Sequence, residues 1–371
     1  MTQTLAETPL HGWHASHGGR MVEFGGWSMP VQYSSILQEH QATRTAVGLF
    51  DISHMGRLRL EGSAAAPFLD SLLTRRIVDL PLGSIRYGLL ANDEGGTIDD
   101  VLVYHLEDQC GLFYRVVCNA SNREKVVRWL ENHLRGNTGI QLRDETYDSA
   151  MIAVQGPLAL ETVALLVDDD PSGMQYYTGR CGRIGNTFGQ WSRTGYTGED
   201  GWELVVPAAA AVELWEQLVL MSRVSGGTTV GLAARDTLRL EAAMPLYGHE
   251  LSENISGIQA GLGFAMNLQD RSFPGRDALL QLKKDKTLPR RVGLICTGKR
   301  VPREGYAIAR GSERVGKVTS GTFSPTLEKP IAMGYVAASA AVAGNDLMID
   351  LRGRMEPAQV VPLPFYRRSV T

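Results

Sequence analysis

Two runs of alternating apolar and polar residues, "DDVLVYHL" and "GLFYRVVC", flank a short polar stretch from Glu107 to Gly111. A period of two marks a half-buried strand, so this segment predicts a β-hairpin. With Leu106 set opposite Leu112, Asp100 falls opposite Cys118 and Asn119 lies beside it. The next stretch, "SNREKVVRWLENHL", changes period. Val127, Leu130 and Leu134 recur at helical spacing, and Ser121 with Glu124 predicts a capping box at the helix start. Hairpin and helix form one unit near residues 85–146.

Two further units follow. "AMIAVQG" reads as a buried strand leading to Pro157, which suits the first turn of a helix over "PLALETVALLV". "GWELVVPAAAAVELWEQLVLMS" repeats the plan of strand, proline and helix. Hairpins mixed with strand-to-helix units predict an α+β fold more than a doubly wound parallel sheet. "KKDKTLP", from Lys283 to Pro289, predicts a linker. Beyond it, Gly, Pro and short alternating runs predict an all-β domain. The expected division is a body over 1–284 and a C-terminal β domain over 285–371.

Against this pattern a few polar residues stand out. Alternation puts Asp100 on one face with Ile98, Leu102 and Tyr104, where a strand normally spends apolar side chains. Glu203 lies inside a strand, two positions before Val205, so the same period aims it at a cavity. A buried carboxylate needs paired donors, which a heterocycle with an amino group and a ring N–H supplies. Glu199 and Asp200, in the glycine-rich "RTGYTGEDGWEL", read as a solvated hairpin turn. Arg235 and Arg239 fall one helical turn apart in "GLAARDTLRL", either as a salt-bridged face or as a clamp for a carboxylate ligand.

Composition narrows the function classes. The chain has 371 residues, 43% hydrophobic and 21% charged, with a formal net charge of -3. That balance excludes wholesale nucleic-acid or anionic-membrane binding, which needs a basic excess. The N-terminus has no apolar signal region and no run has transmembrane length, so a cytoplasmic protein is expected. The four cysteines are scattered, as befits reduced thiols. "GSERVGKV" has phosphate-loop spacing but Val318 where Ser or Thr must follow, so hairpin glycines are expected there. His11, His14 and His17 recur every three residues, yet the neighbouring glycines argue against a helix holding them convergent on a metal. No dinucleotide fingerprint and no nucleophile elbow occur.

The remaining motifs resemble one family closely. "GGRMVEFGGWSMPVQY", "VGLFDISHMG", "GGTIDDVLVY", "IAVQGP", "GYTGEDGWE", "GLAARDTLRLEA" with "PLYGHE", and "GTFSPTLEKPIAMGYV" run in order from residue 18 to 336. They resemble the T-protein family, the aminomethyltransferases of the glycine cleavage system, in its bacterial form. The resemblance implies a multidomain folate-binding α+β fold: mixed antiparallel sheets with helices, three domains around a central cavity, and a barrel-like all-β C-terminal domain. It implies an enzyme that moves the aminomethyl carbon from the lipoyl arm of H-protein to tetrahydrofolate, with no metal and no nucleotide. The family's essential aspartate matches Asp100. Glu203 matches the glutamate that grips the pterin, and Arg235 a folate-contacting arginine. Tyr196, Tyr87, Tyr104 and Asn119 match pocket positions, Tyr366 and Arg367 the terminal aromatic and basic residues, and Tyr176 lies near another pocket position. Two departures, Ala243 for a usual glycine and Thr194 for a common serine, are expected to touch none of these roles. The rivals on the same scaffold are a folate-dependent demethylase and a non-enzymatic folate-binding protein of iron–sulfur maintenance.

Overall fold

The computed structural model describes residues 4–136 and 138–369. Two sheets face each other, with helices on their outer sides. One is six-stranded, in the order Thr178–Ile184, Thr187–Arg193, Gly201–Pro207, Ser149–Gln155, Gly48–Asp51, Thr228–Thr229. The other is five-stranded, in the order Ile85–Ala91, Thr97–Asp108, Gly111–Cys118, Gly56–Glu61, Gln141–Asp144. Alternation decides which layer each side chain joins. In the Gly201–Pro207 strand, Trp202, Leu204 and Val206 point outward into a core shared with Trp215 and Leu218 of the Ala211–Val224 helix. Val205 points inward. In the Thr97–Asp108 strand, Val101 and Val103 pack outward with Leu130 of the Arg123–Leu134 helix. Tyr104 and Leu106 point inward to meet Phe50, Met151 and Val205 of the opposite sheet.

The C-terminal residues form a closed six-stranded barrel, Arg290–Cys296, Lys329–Val336, Glu313–Ser324, Ala307–Arg310, Asp346–Asp350 and Met355–Val361, with Ile308, Val318 and Leu347 inside. Gly311 turns its hairpin at φ +62°, so the phosphate-loop spacing there belongs to a turn. The loop 285–289 precedes the barrel, and Lys283 and Lys284 complete the last turn of the Arg276–Lys284 helix.

Several local expectations need correction. The hairpin pairs Leu106 with Phe113 and Glu107 with Leu112, one residue out from the expected register. A turn of two residues between Asp108 and Gly111 closes it more tightly than a polar loop would. Asn119 therefore replaces Cys118 as the neighbour of Asp100. A bulge leaves Ile98 unpaired between Thr97 and Asp99, which turns Ile98 to the outer core and away from the face of Asp100. Ser121 is no helix cap: it lies in a 3₁₀ turn, Ala120–Asn122, ahead of the helix. His11–Ser16 is a helix after all. His14 bonds Asp51 (2.9 Å) and Tyr33 (2.8 Å), His17 stacks on Trp13, and His11 meets Ser28, so the three rings diverge.

The helix Leu232–Glu241 locks the barrel to the body. Arg239 reaches Glu250 (2.9 Å) and Ser320 (2.8 Å), while Glu241 accepts from Ser324 (2.5 Å), Thr326 (2.8 Å) and Arg44 (2.7 Å). Its N-cap residue Gly231 presses on the Trp27–Gln32 strand, where a Cβ would meet Val31 backbone atoms at 2.4 Å. Gly231→Ala should therefore push this helix off its seat and cost ~2 kcal/mol, as overpacking does, checked by denaturant unfolding. An unchanged midpoint would refute that seat.

Candidate active site

Where the inner layer opens, the two sheets and the Leu232–Glu241 helix enclose a cavity of about 350 Å³. Its walls include Ile52, Met55, Leu102, Val117 and Met151, and its polar groups include Asp100, Asn119, Glu203 and Arg235. The two acids come from opposite sheets by the same alternation. Glu203 follows the inward pattern of Val205, and Asp100 that of Leu102 and Tyr104.

Asp100 does not stand alone. Tyr87 donates to its Oδ2 (2.9 Å), and the amide of Asn119 donates to its Oδ1 (2.8 Å). The same Asn119 nitrogen also donates to Asp99 Oδ1 (2.8 Å), so one side-chain amide bridges two consecutive carboxylates. Asp99 is fully buried and accepts further from the Asn119 backbone N–H (3.0 Å) and from Asn122 (2.6 Å). All these donors are neutral. Burial and then the charge of Asp100 push Asp99 up to about 7, and burial raises Asp100 as well, against the hydrogen bonds of Tyr87 and Asn119. The pair thus keeps one proton far above the ordinary aspartate range.

Glu203 is buried, and burial raises its pKa. Thr194 (2.6 Å) and Tyr104 (3.5 Å) both donate to its Oε2, which leaves Oε1 without a partner among the described residues. Thr194 therefore does touch a named role, contrary to expectation. Ala243, the other departure, adopts φ +56°, the left-handed region in which a glycine is at ease. The residues after it, Met244 to Tyr247, line the cavity.

The Arg235 guanidinium lies over the ring of Tyr196, 4.8 Å from its centroid, and makes no hydrogen bond or ion pair among the described residues. The two arginines of this helix thus divide the readings between them. Arg239 is salt-bridged, and Arg235 faces the cavity. Tyr196 itself is tied to the Pro245 carbonyl (2.6 Å). Tyr87, Asn119 and Tyr196 line the cavity, and Tyr104 is sealed against Glu203.

Besides Tyr104, three further candidates lie away from the lining. The Tyr366 ring covers the Arg44 guanidinium at 4.0 Å, Arg367 is exposed, and Tyr176 bonds the Gly195 carbonyl at 3.3 Å. Its neighbour Tyr177 lines the cavity instead. Tyr177 has φ +64°, a conformation that costs ~1–2 kcal/mol for a side chain of this kind. It is held by backbone bonds of 2.9 Å to Arg193 and Ile85. Burial, then the charges of Glu203 and Asp100, push its phenol up to about 12. Glu199 and Asp200 are no solvated turn. Glu199 is buried against Arg44 (2.8 Å), and Asp200 pairs with Arg193 (2.5 Å) and Arg368 (3.2 Å). Arg44 and Arg368 are distant in sequence, which is why the turn composition concealed them.

The comparisons fit this architecture. The model of the GCVT N-terminal domain matches residues 10–270, and that of the glycine cleavage T-protein C-terminal barrel domain matches residues 290–367. The chain belongs to the glycine cleavage T-protein family. It is 43% identical to an aminomethyltransferase of Geobacillus thermodenitrificans, over 98% of this chain and 99% of that one. It is also 43% identical to an aminomethyltransferase of Streptomyces coelicolor, over 98% of each. The crystal structure of glycine cleavage system aminomethyltransferase T from Bartonella henselae matches with a TM-score of 0.90 at 33% identity, over 98% of each chain. The enzyme class of the chain is aminomethyl transfer.

The buried acid pair has a consequence for stability. Folded Asp99 keeps its proton to higher pH than an unfolded aspartate, so the native state binds more protons between about pH 4 and its folded value of about 7. Its contribution to stability is present below that window and lost as pH rises through it. Asp99→Asn should flatten the fall in unfolding free energy between about pH 4 and 7, read by urea denaturation. An unaltered slope would show that Asp99 ionises as an ordinary aspartate.

Proposed function

We propose that the cavity holds tetrahydrofolate with its pterin ring against Glu203 and its carbon-accepting nitrogens N5 and N10 against Asp100. The donor is an aminomethyl group, S–CH₂–NH₂, on the lipoyl arm of H-protein. The products are 5,10-methylenetetrahydrofolate, ammonia and the reduced arm. The observation that carries this reading is the placing of two acids from facing sheets, each with one open role, in a single largely apolar cavity beside an unpaired arginine.

Each role follows from valence. Glu203 has one oxygen engaged by Thr194 and Tyr104 and the other open, ready to accept from an amino group or ring N–H. Forming the N5–CH₂–N10 bridge removes one N–H from each nitrogen. One proton must reach the departing sulfur, and the other leaves with ammonia. A carboxylate held above the ordinary aspartate range suits that transfer, and burial raises Asp100 against the hydrogen bonds of Tyr87 and Asn119. The same carboxylate stabilises the iminium-like carbon that develops as the leaving group departs. Apolar walls such as Leu102, Val117 and Met151 keep water from that carbon. Arg235 faces the acidic end of the folate. Among the described residues no helix is long and apolar enough to cross a membrane.

Assayed with aminomethyl-loaded H-protein and tetrahydrofolate, Asp100→Asn should lose about 10²–10⁴ in kcat, the range for a positioned acid–base group, while its folate Kd stays within about threefold. Ammonia and methylenetetrahydrofolate are the products to follow. Wild-type rates in the variant would refute the role of Asp100. Absence of both products with wild type, despite folate binding, would refute the donor.

A further inference from the structure

His54, a buried polar side chain of the cavity wall, makes no hydrogen bond among the described residues. His54 is 2% exposed, yet its Nδ1 is buried without a hydrogen bond, and its Nε2 has none among the described residues. Buried polar atoms are nearly always satisfied, and each exception calls for a ligand, a water or a cost. His54 follows the Gly48–Asp51 strand and stands edge-on against Phe24, ring centroids 5.6 Å apart, on the cavity wall.

The charged groups acting on it are Arg235, Asp51 and Arg57, in that order. Two of the three are already engaged. Asp51 accepts from Thr8 (2.7 Å), His14 (2.9 Å) and the Ser53 N–H (2.9 Å). Arg57 donates to Ser149 Oγ (2.8 Å) and to the carbonyls of Ser53 (3.0 Å) and Met55 (2.5 Å). Arg235 is the neighbour with open valence. Burial, then the Arg235 charge, hold the imidazole down to about 3, so the ring is neutral and presents one N–H donor and one acceptor. A second cavity of about 320 Å³ continues past Phe24 and Arg235 toward the barrel, so this is the end of the site from which a long ligand emerges.

A guanidinium that forms no ion pair among the described residues, with Glu203 acting on it only through space, fits a carboxylate together with an imidazole that has a spare N–H, since the carboxylate accepts from both. We propose that His54 is a binding residue which, together with Arg235, grips the carboxylate-bearing tail of the folate and so selects the acylated acceptor over a bare reduced pterin. The proposal rests on the reading of the cavity as a folate site with Arg235 at its acidic end. The carboxylate fills the open valences of His54 and Arg235 together, which an apolar or cationic ligand would leave unmet.

The test compares equilibrium binding of tetrahydrofolate with that of 6-methyltetrahydropterin, which has the ring and no acidic tail, under anaerobic conditions. Wild type should prefer tetrahydrofolate. His54→Ala should lower that preference ratio about tenfold, as for loss of one hydrogen bond to a charged group. His54→Gln, whose amide reaches as far as Nε2, should restore it to within about threefold, and Arg235→Met should lower it at least as much as His54→Ala. A ratio in His54→Ala within twofold of wild type, or equal weakening of both ligands, overturns the role of His54. An unchanged ratio in Arg235→Met overturns the shared grip. Failure of wild type to bind either ligand refutes the folate reading itself.

Discussion

One amide nitrogen, Nδ2 of Asn119, sits between two carboxylates, and the chemistry of the cavity depends on it. Asp99 and Asp100 are consecutive, so alternation sends one outward into a sealed pocket and the other inward to the cavity. Asn119 lies where the partner strand ends, opposite Asp100, and reaches both at 2.8 Å. Without it, two ionised carboxylates would face each other in a low-dielectric setting with no common donor. With it, the pair is held in place while burial and mutual repulsion keep one proton bound. That is the property an acid–base group needs at neutral pH.

The surrounding fold keeps such a costly arrangement in register. Two sheets pack face to face through Phe50, Met151, Tyr104 and Val205, and this apolar layer fixes the distance across which Asp100 and Glu203 look at each other. The Leu232–Glu241 helix supplies the positive charge. Its two arginines, one turn apart, have opposite fates because their surroundings differ. Arg239 is satisfied by Glu250 and Ser320 and ties the barrel down, whereas Arg235, with only a tyrosine ring beneath it, stays available. A buried ion pair of the first kind is weak evidence of stability but does set orientation. Here it fixes the helix that presents Arg235.

Much of this was legible in the chain, because alternation is a local property. The inward turn of Asp100 and Glu203 follows from neighbours two residues away, and the all-β nature of the C-terminal part follows from its short alternating runs. What stayed hidden depends on contacts distant in sequence or on single residues of backbone geometry. The one-residue register error came from the length of a turn, and the bulge at Ile98 from the sheet beside it. Glu199 reads as solvated until Arg44, far away in the chain, folds against it. Thr194 looks like a silent substitution until its hydroxyl is found on Glu203. Tyr176 and Tyr177 are indistinguishable by composition, and only the positive φ of Tyr177 turns it into the cavity. His54 gave no signal, since an unsatisfied nitrogen is a fact about three dimensions.

The shared proton is the central claim, and carbon-13 NMR of protein labelled at the aspartate carboxyls tests it most directly. One carboxyl should titrate at about 7 in the wild type and move well down in Asp100→Asn, where the neighbouring charge is gone. If every aspartate titrates below about pH 5, in the ordinary range, or if the high one is indifferent to Asp100→Asn, the two acids do not share a proton and the account of the cavity's chemistry is wrong.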